Sequence, residues 1–176
     1  MIHIPYTPAL LLALALLPLL PAAQAKDAPA RVPTSGPTVP GDRAAVRGGI
    51  AYAPEKAPLA VKRAIWATNC VCRKPYVWGG GHADFHAPGY DCSGTVSYFL
   101  HHAGKLERPA ASREFTAYGS GGQGRWVTIY ARSGHVFAVV AGIRLDTTGA
   151  HREEGPRWRP DTRKPTGFVA RHPEGL

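Results

Sequence analysis

The pattern of apolar and polar positions first predicts a helix over 58–69. Val61, Ile65 and Thr68 recur in this stretch at helical spacing and therefore lie on one face. Pro58 suits the first position of a helix, because the N–H group that proline lacks would have no partner inside the helix there.

A second helix is predicted over 92–103. Val96 and the apolar residues after it recur at helical spacing from Cys92. Asp91 is a favourable N-cap, since its carboxylate can accept from a free backbone N–H group of the first turn. Gly104 is a favourable terminator just past the last periodic residue. The predicted helix therefore begins at a cysteine.

Further along the chain, apolar and polar positions alternate with the period of β-strands. The alternation predicts strands over 126–130, 135–140 and 143–148, and Ala141-Gly142 predicts a tight turn between the last two. The stretch 167–171 predicts a strand that closes the sheet. Two helices and an antiparallel sheet place the chain in the α+β class.

The length of the turn between the last two strands decides which side chains meet. If the turn has two residues, Phe137 faces Asp146, and Asp146 becomes the diagonal neighbour of His135 on the same side of the sheet. Diagonal neighbours lie roughly 7–8 Å apart or less, which a carboxylate and an imidazole can bridge. A three-residue turn would instead point Asp146 away and place Thr147 on the side of His135.

The first fifty residues differ in composition from the rest. An almost unbroken Leu/Ala run ending in Ala-Gln-Ala at 23–25 predicts a secretory signal peptide over 1–25, although an uncleaved membrane anchor is the alternative. Residues 26–50 are rich in Pro, Ala and Arg, which predicts a flexible linker. One folded domain is expected over 51–176. We expect the product to be exported to the periplasm or the extracellular space.

Charge narrows the expected partners. The formal net charge of +9 lies entirely beyond residue 25, and it suits attraction to an anionic cell envelope. The basic residues are scattered, and no predicted helix or strand carries a basic stripe interleaved with aromatic residues, so we expect no nucleic-acid partner. After cleavage of the signal peptide we expect a monomer with no stable membrane span.

Cys92 is the first candidate for chemistry. At a helix start, the free N–H groups and the positive end of the helix dipole favour the thiolate, the species that attacks carbonyl carbons. The alternative is an inert buried cysteine. Cys70 and Cys72 are expected to be structural, because their spacing together with the nearby histidines matches no standard zinc pattern. The connectivity of any disulfide cannot be deduced from the sequence.

Three motifs together resemble a known family. Pro-Tyr-Val-Trp-Gly-Gly at 75–80, Asp-Cys-Ser-Gly at 91–94 and Ser-Gly-His at 133–135 are similar to those of the NlpC/P60 family of papain-like cysteine peptidases. The resemblance runs from about residue 55 to the C-terminus. It implies a papain-like fold, a nucleophile helix packed on an antiparallel sheet, and association with the cell wall.

The resemblance also implies an activity. It is that of a cysteine endopeptidase that hydrolyses amide bonds in peptidoglycan stem peptides, often the bond between D-glutamate and a diamino acid. Cys92 is then the nucleophile and His135 the base. The register of the hairpin, not the resemblance, makes Asp146 the residue that would orient the imidazole, with Thr148 and His151 as rivals. Many members of the family carry histidine or another polar residue at that position. No metal and no organic cofactor is required.

The resemblance further implies residues that hold the substrate. Tyr76 matches a tyrosine that lines the active site beside the nucleophile. Asp91 and Ser93 match positions that help to hold a free amino terminus in members that cut next to one. For Asp91, a role as helix cap alone is the alternative.

Other functions use the same residues differently. An N-acetylmuramoyl-L-alanine amidase or a thiol acyltransferase would use the same three catalytic side chains. A non-catalytic module that binds the cell wall would need none of them. A redox or metal protein would use Cys70, Cys72 and Cys92 together.

Overall fold

The computed structural model describes most of the chain after the predicted signal peptide. The described residues are 1–3, 33–149, 154–160 and 163–176. By its contacts the chain divides into two units, and every helix and strand below belongs to the second, Arg31–Leu176. The predicted signal peptide beyond residue 3 lies outside the described residues, as do residues 26–32 of the predicted linker.

Both predicted helices form. Helix α1 spans Leu59–Asn69 and helix α2 spans Cys92–His102. In α1 the predicted face of Val61, Ile65 and Thr68 is buried. Pro58 lies one position earlier than predicted, as the residue that caps the helix.

Helix α2 begins and ends where its flanking residues predicted. Oδ1 of Asp91 accepts from the backbone N–H of Gly94 at 2.7 Å, which caps the first turn. Gly104, just beyond the helix, has φ of +67°, a conformation that glycine adopts without steric cost. Residues 92–100 of the helix are all buried, so α2 is a central element of the core rather than a surface helix.

Among the described residues, six strands form the main sheet, and every neighbouring pair in it is antiparallel. Its spatial order is β4-β9-β5-β6-β7-β8. The strands are β4 (Ser120–Gly121), β5 (Val127–Arg132), β6 (His135–Val140), β7 (Ile143–Asp146), β8 (Arg157–Arg159) and β9 (Val169–His172). Two helices and this sheet confirm the predicted α+β class. A short 3₁₀ helix, Glu114–Ala117, precedes β4.

The turn between β6 and β7 has two residues. Val140 pairs with Ile143, so the turn consists of Ala141 and Gly142, whose φ angles are +47° and +89°. Two successive positive φ angles fit the twist of a hairpin. The register that the sequence predicted for a two-residue turn is therefore confirmed.

A smaller sheet forms where the sequence predicted a flexible linker up to residue 50. Strands β1 (Thr38–Val39), β2 (Ala45–Arg47) and β3 (Ile50–Pro54) make a three-stranded sheet in the order β1-β3-β2. Nε1 of Trp66 in α1 donates to the carbonyl of Pro37 at 3.0 Å. Over residues 33–50 the linker prediction was therefore wrong, because backbone pairing and contacts with α1 stabilise a segment that has few large apolar side chains of its own.

The core lies between the two helices and the inner face of the main sheet. Phe99 of α2, Ile129 of β5 and Leu145 of β7 are completely buried in it. The ring of Trp158 in β8 packs edge-on against Phe99, with centroids 6.3 Å apart. No helix within the described residues is both long and apolar enough to cross a membrane.

Candidate active site

Cys92 is the first residue of α2, at the end of the helix where backbone N–H groups lack partners within the helix. It is 8 % exposed. The Asp91 cap fixes the backbone just before it. The thiol is therefore held rigidly, with access from one side.

His135 is the first residue of β6, and its side chain is 13 % exposed. Its Nε2 lies 3.0 Å from Oδ1 of Asp146. The ring and the thiol of Cys92 line the same cavity. Since Nε2 is engaged by the carboxylate, Nδ1 is the nitrogen that remains for the sulfur. The structure thus brings together the three side chains that the sequence predicted as a catalytic set.

The carboxylate of Asp146 is completely buried and has partners on both oxygens. Oδ1 accepts from the backbone N–H of Thr148 at 3.0 Å in addition to its contact with His135. Oδ2 accepts from Nη1 of Arg144 at 2.7 Å and from Nη1 of Arg163 at 3.2 Å. These contacts hold the carboxylate ionised and in one orientation.

Sequence reasoning missed both arginines. Arg144 could have been found, because it lies two residues before Asp146 in β7 and so projects from the same side of the strand. Arg163 could not, because it reaches Asp146 from a segment 17 residues further along the chain.

The pKa values of the imidazole and the carboxylate move in opposite directions. Burial alone would lower the pKa of His135, but the hydrogen bond to Asp146, the negative charge of that carboxylate and the neighbouring Cys92 outweigh burial and raise that pKa to about 9. Burial alone would raise the pKa of Asp146. The hydrogen bond and charge of His135, with further bonds from Thr148 and Arg144, outweigh burial and lower it. An imidazolium beside a carboxylate is therefore the favoured state at neutral pH.

Cys92 and His135 open into a common cavity of about 450 Å³. The remaining lining comes from the glycine-rich segment before α2, from the turn between β5 and β6, and from the region after β7. These residues are Tyr76, Trp78, Arg132, Gly134, Thr147, Thr148 and Arg163. The reacting atoms are thus reached from a cleft between two parts of the chain rather than from a flat surface.

Tyr76 lies in this lining, where the sequence predicted a substrate contact. Its backbone forms an isolated parallel bridge with Tyr90, next to the start of α2. Trp78 also lines the cavity and is 86 % exposed. Its indole is therefore outside the core and available to a ligand.

Asp91 and Ser93, the other two predicted substrate contacts, are not among the residues that line the cavity. Both are buried, at 7 % and 4 % exposure. Nε2 of His82 lies 3.2 Å from Oδ1 of Asp91 and 3.0 Å from the hydroxyl of Ser93. Oδ2 of Asp91 accepts from the N–H of Gly79 at 3.0 Å. In this structure the pair joins the glycine-rich segment to α2.

Thr148 and His151 are the alternatives to Asp146 as the partner of His135. Thr148 contributes its backbone N–H to Asp146, and its backbone carbonyl accepts from Arg144 at 3.1 Å. His151 lies outside the described residues. Asp146 therefore occupies the position that the two-residue turn predicted for it.

The other two cysteines are not part of this site. Cys70, Cys72 and Cys92 are free thiols. Burial raises the pKa of Cys72 to about 12, which makes its thiol unreactive. Across the described parts of the chain, no three His, Cys, Asp or Glu side chains are grouped so as to hold a metal ion.

Comparison with known families gives one match. Residues 73–133 match the model of the NlpC/P60 family. It is the family that the motifs resemble, and the matched segment contains the motifs at 75–80 and 91–94. The α+β fold is consistent with the papain-like fold of NlpC/P60 proteins. A search of curated proteins found no match.

The match bears on the function at a general level. Proteins of the NlpC/P60 family are generally cysteine peptidases or related hydrolases, so the match supports a function of the peptidoglycan-hydrolase type. The matched segment includes Tyr76, Asp91, Cys92 and Ser93 but ends at residue 133, before His135. The match therefore does not extend to His135 and Asp146.

Proposed function

We propose that this protein is an exported cysteine endopeptidase that hydrolyses amide bonds in peptidoglycan stem peptides. The observation that carries the proposal is that Cys92 and His135 line one cavity, with Asp146 bonded to His135 behind it. The thiol begins a helix in the matched family segment, whereas the imidazole and the carboxylate come from a hairpin outside it. Two independent parts of the chain thus supply one set of reacting groups.

The reaction begins with the thiol and the imidazole. His135 takes the proton of the Cys92 thiol, which gives a thiolate beside an imidazolium, and the carboxylate of Asp146 stabilises the positive ring. The thiolate attacks the amide carbonyl carbon, and the carbonyl oxygen takes up negative charge. The backbone N–H of Cys92, at the start of α2, donates to that oxygen.

The imidazolium completes the first half of the reaction. It protonates the leaving nitrogen, the C–N bond breaks, and the acyl group stays on sulfur as a thioester. Water then attacks the thioester while His135 accepts its proton, and the thiolate leaves to give a carboxylic acid. Asp146 keeps Nε2 of the ring protonated throughout, so Nδ1 faces the sulfur.

Export and a wall substrate belong to the same proposal. The Leu/Ala run and the Ala-Gln-Ala sequence at 23–25 supply a secretory leader. A net charge of +9 favours residence beside an anionic envelope. We place the protein in the periplasm or outside the cell, associated with the cell wall.

The decisive experiment is digestion of purified peptidoglycan by the wild type and by Cys92→Ala, followed by mass spectrometry of the soluble products. We expect new muropeptides from the wild type and none from the variant, and their masses identify the bond that is cut. Thr116→Ala, at a partly exposed position in the 3₁₀ helix that does not line the cavity, is the control.

The other outcomes assign the alternatives. Release of intact stem peptides from the glycan would make the protein an amidase, and transfer of the acyl group to an added amine would make it an acyltransferase. Equal products from the wild type and Cys92→Ala would remove the nucleophile assignment. Binding to peptidoglycan without products would leave a wall-binding module.

A further inference from the structure

The charged side chains of the active-site cavity are unevenly distributed. Arg132 and Arg163 both line it, and no carboxylate lines it among the described residues. Asp146 lies behind His135, with its side chain inaccessible. A ligand that enters the cavity therefore meets two guanidinium groups beside the thiol.

Arg132 is placed directly beside the imidazole. It pairs with His135 across the two-residue turn between β5 and β6. Directly opposed residues of an antiparallel pair share one face of the sheet, with Cβ atoms roughly 4.5–5.5 Å apart. The pairing of the two strands therefore places the side chains of Arg132 and His135 next to each other.

Phe168 supports this arrangement. The guanidinium carbon of Arg132 lies 4.8 Å from the centroid of the Phe168 ring, and the same ring packs edge-on to His135 at 6.0 Å. Stacking fixes the plane of a guanidinium while its N–H edge stays open to an acceptor. The side chain is thus ordered before any ligand arrives.

The two arginines differ in how far they are already engaged. Arg163 donates to Asp146 and stacks near Phe137 at 5.3 Å. Arg132 is exposed, and its side chain forms no hydrogen bond or ion pair with any described residue. Of the two arginines that line this cavity, Arg132 is the one whose guanidinium N–H groups have no acceptor among the described residues.

We infer that Arg132 is a specificity-determining residue that binds a free carboxylate of the substrate next to the bond that is cut. A planar fork of N–H donors matches a carboxylate in geometry and in charge. A carboxamide at the same place would lose the charge and would set an NH₂ group against those donors. The inference deepens the proposed function: the enzyme would prefer stem peptides with free carboxylates to amidated ones.

The test measures binding apart from catalysis. Isothermal titration calorimetry of the Cys92→Ala protein measures the affinity for three peptides. They are the tripeptide L-Ala-γ-D-Glu-diaminopimelate, the same tripeptide amidated at D-Glu, and the same tripeptide amidated at the diamino acid. We expect at least one amidated form to bind roughly ten- to a hundredfold more weakly, the range for loss of a hydrogen bond between charged groups. When Arg132→Gln is added to Cys92→Ala, the ratio of the affinities for the free and the amidated peptides should fall close to one.

Arg125→Gln in the same Cys92→Ala background is the matched control. Arg125 is also exposed and stacks on an aromatic ring, Trp126 at 5.4 Å, but it lines a different cavity. Its replacement should leave the ratio unchanged. Arg132→Lys should restore part of the preference, because it returns the charge without the planar fork.

Activity assays on the same Arg132 variants with Cys92 intact separate the inference about Arg132 from the proposed hydrolase function. Loss of preference in Arg132→Gln should appear mainly as a higher KM for the carboxylate substrate. Equal affinity of Cys92→Ala for all three peptides, no measurable binding of any, or a preference that survives Arg132→Gln would overturn the inference. A preference that depends on Arg132, without hydrolysis by the wild type, would support the inference and overturn the proposed function.

Discussion

At the scale of single residues, Asp146 determines the state of the site. Its carboxylate is shared by the imidazole of His135, the N–H of Thr148 and the guanidinium groups of Arg144 and Arg163. A buried carboxylate without such partners would take up a proton and would no longer stabilise an imidazolium. The two arginines thus make an aspartate usable at a position from which water is excluded.

This arrangement predicts the effect of Asp146→Asn. We expect kcat/KM on a muropeptide to fall on the order of a hundred- to ten-thousandfold, because the imidazole loses its orientation and its negative partner. In the wild type, kcat/KM should hold until His135 loses its proton near pH 9 and should decline above it. In the variant the pKa of His135 is lower, so the decline should begin at lower pH. The measurement is the pH profile of kcat/KM.

Asp42→Asn is the matched control for this substitution. Asp42 lines a different cavity, next to Arg43 and Arg125. It should leave both kcat/KM and the alkaline limb unchanged. An alkaline limb that stays in place in Asp146→Asn would show that the carboxylate does not set the pKa of the catalytic imidazole.

At the scale of elements, the position of the Cys92 thiol depends on contact between α2 and the glycine-rich segment 79–81. A Cβ atom added to Gly94 would lie 2.0 Å from the carbonyl oxygen of Gly80. Because that distance is a steric clash, the backbone at Gly80 or at Gly94 would have to move. The contact therefore requires glycine in the first turn of the helix, two residues after Cys92.

Gly94→Ala tests this packing. We expect it to lower the free energy of unfolding by about 1–3 kcal/mol, the usual cost of overpacking, and to reduce activity by displacing the segment that carries Tyr76. Gly104→Ala is the control. Gly104 has φ of +67° with no atom within 4 Å of an added Cβ, so only backbone strain of about 1 kcal/mol is expected.

Urea denaturation measures the first effect, and kcat/KM relative to the wild type measures the second. Activity should fall in Gly94→Ala and stay near the wild-type value in Gly104→Ala. Equal loss of activity in the two variants would mean that the approach of Gly80 to α2 does not position the nucleophile.

At the scale of the whole molecule, the segment before α1 belongs to the folded unit. Both backbone groups of Ala51 bond to the side-chain amide of Asn69, each at 2.9 Å. The N–H of Ala44 donates to the carbonyl of Ala141 at 2.9 Å. The small sheet thus contacts α1 on one side and the turn between β6 and β7 on the other.

Truncation distinguishes a folded segment from a linker. A protein that begins at residue 50 loses β1, β2 and the bond from Trp66 to Pro37, and we expect it to unfold at lower urea than a protein that begins at residue 33. Loss of one partly buried hydrogen bond and of the pairing of two strands corresponds to at least about 2 kcal/mol. A flexible linker would give two proteins with the same midpoint.

The sequence by itself determined the features that depend on near neighbours. The Asp91 cap, the start of a helix at Cys92 and the two-residue turn at Ala141-Gly142 are set by local hydrogen bonds and backbone angles. This turn fixes the register of β6 and β7. The proximity of His135 and Asp146 could therefore be predicted from the turn and the two-residue period of the strands.

Only the tertiary structure decided what depends on distant segments. It brings the thiol of α2 to the hairpin, places Arg163 on Asp146, engages Asp91 and Ser93 with His82, and pairs the segment before α1 into a sheet. Local patterns do not encode these contacts, because each one joins residues whose spacing carries no periodicity. Their free energy comes from burial and from charges that meet only after the chain has folded.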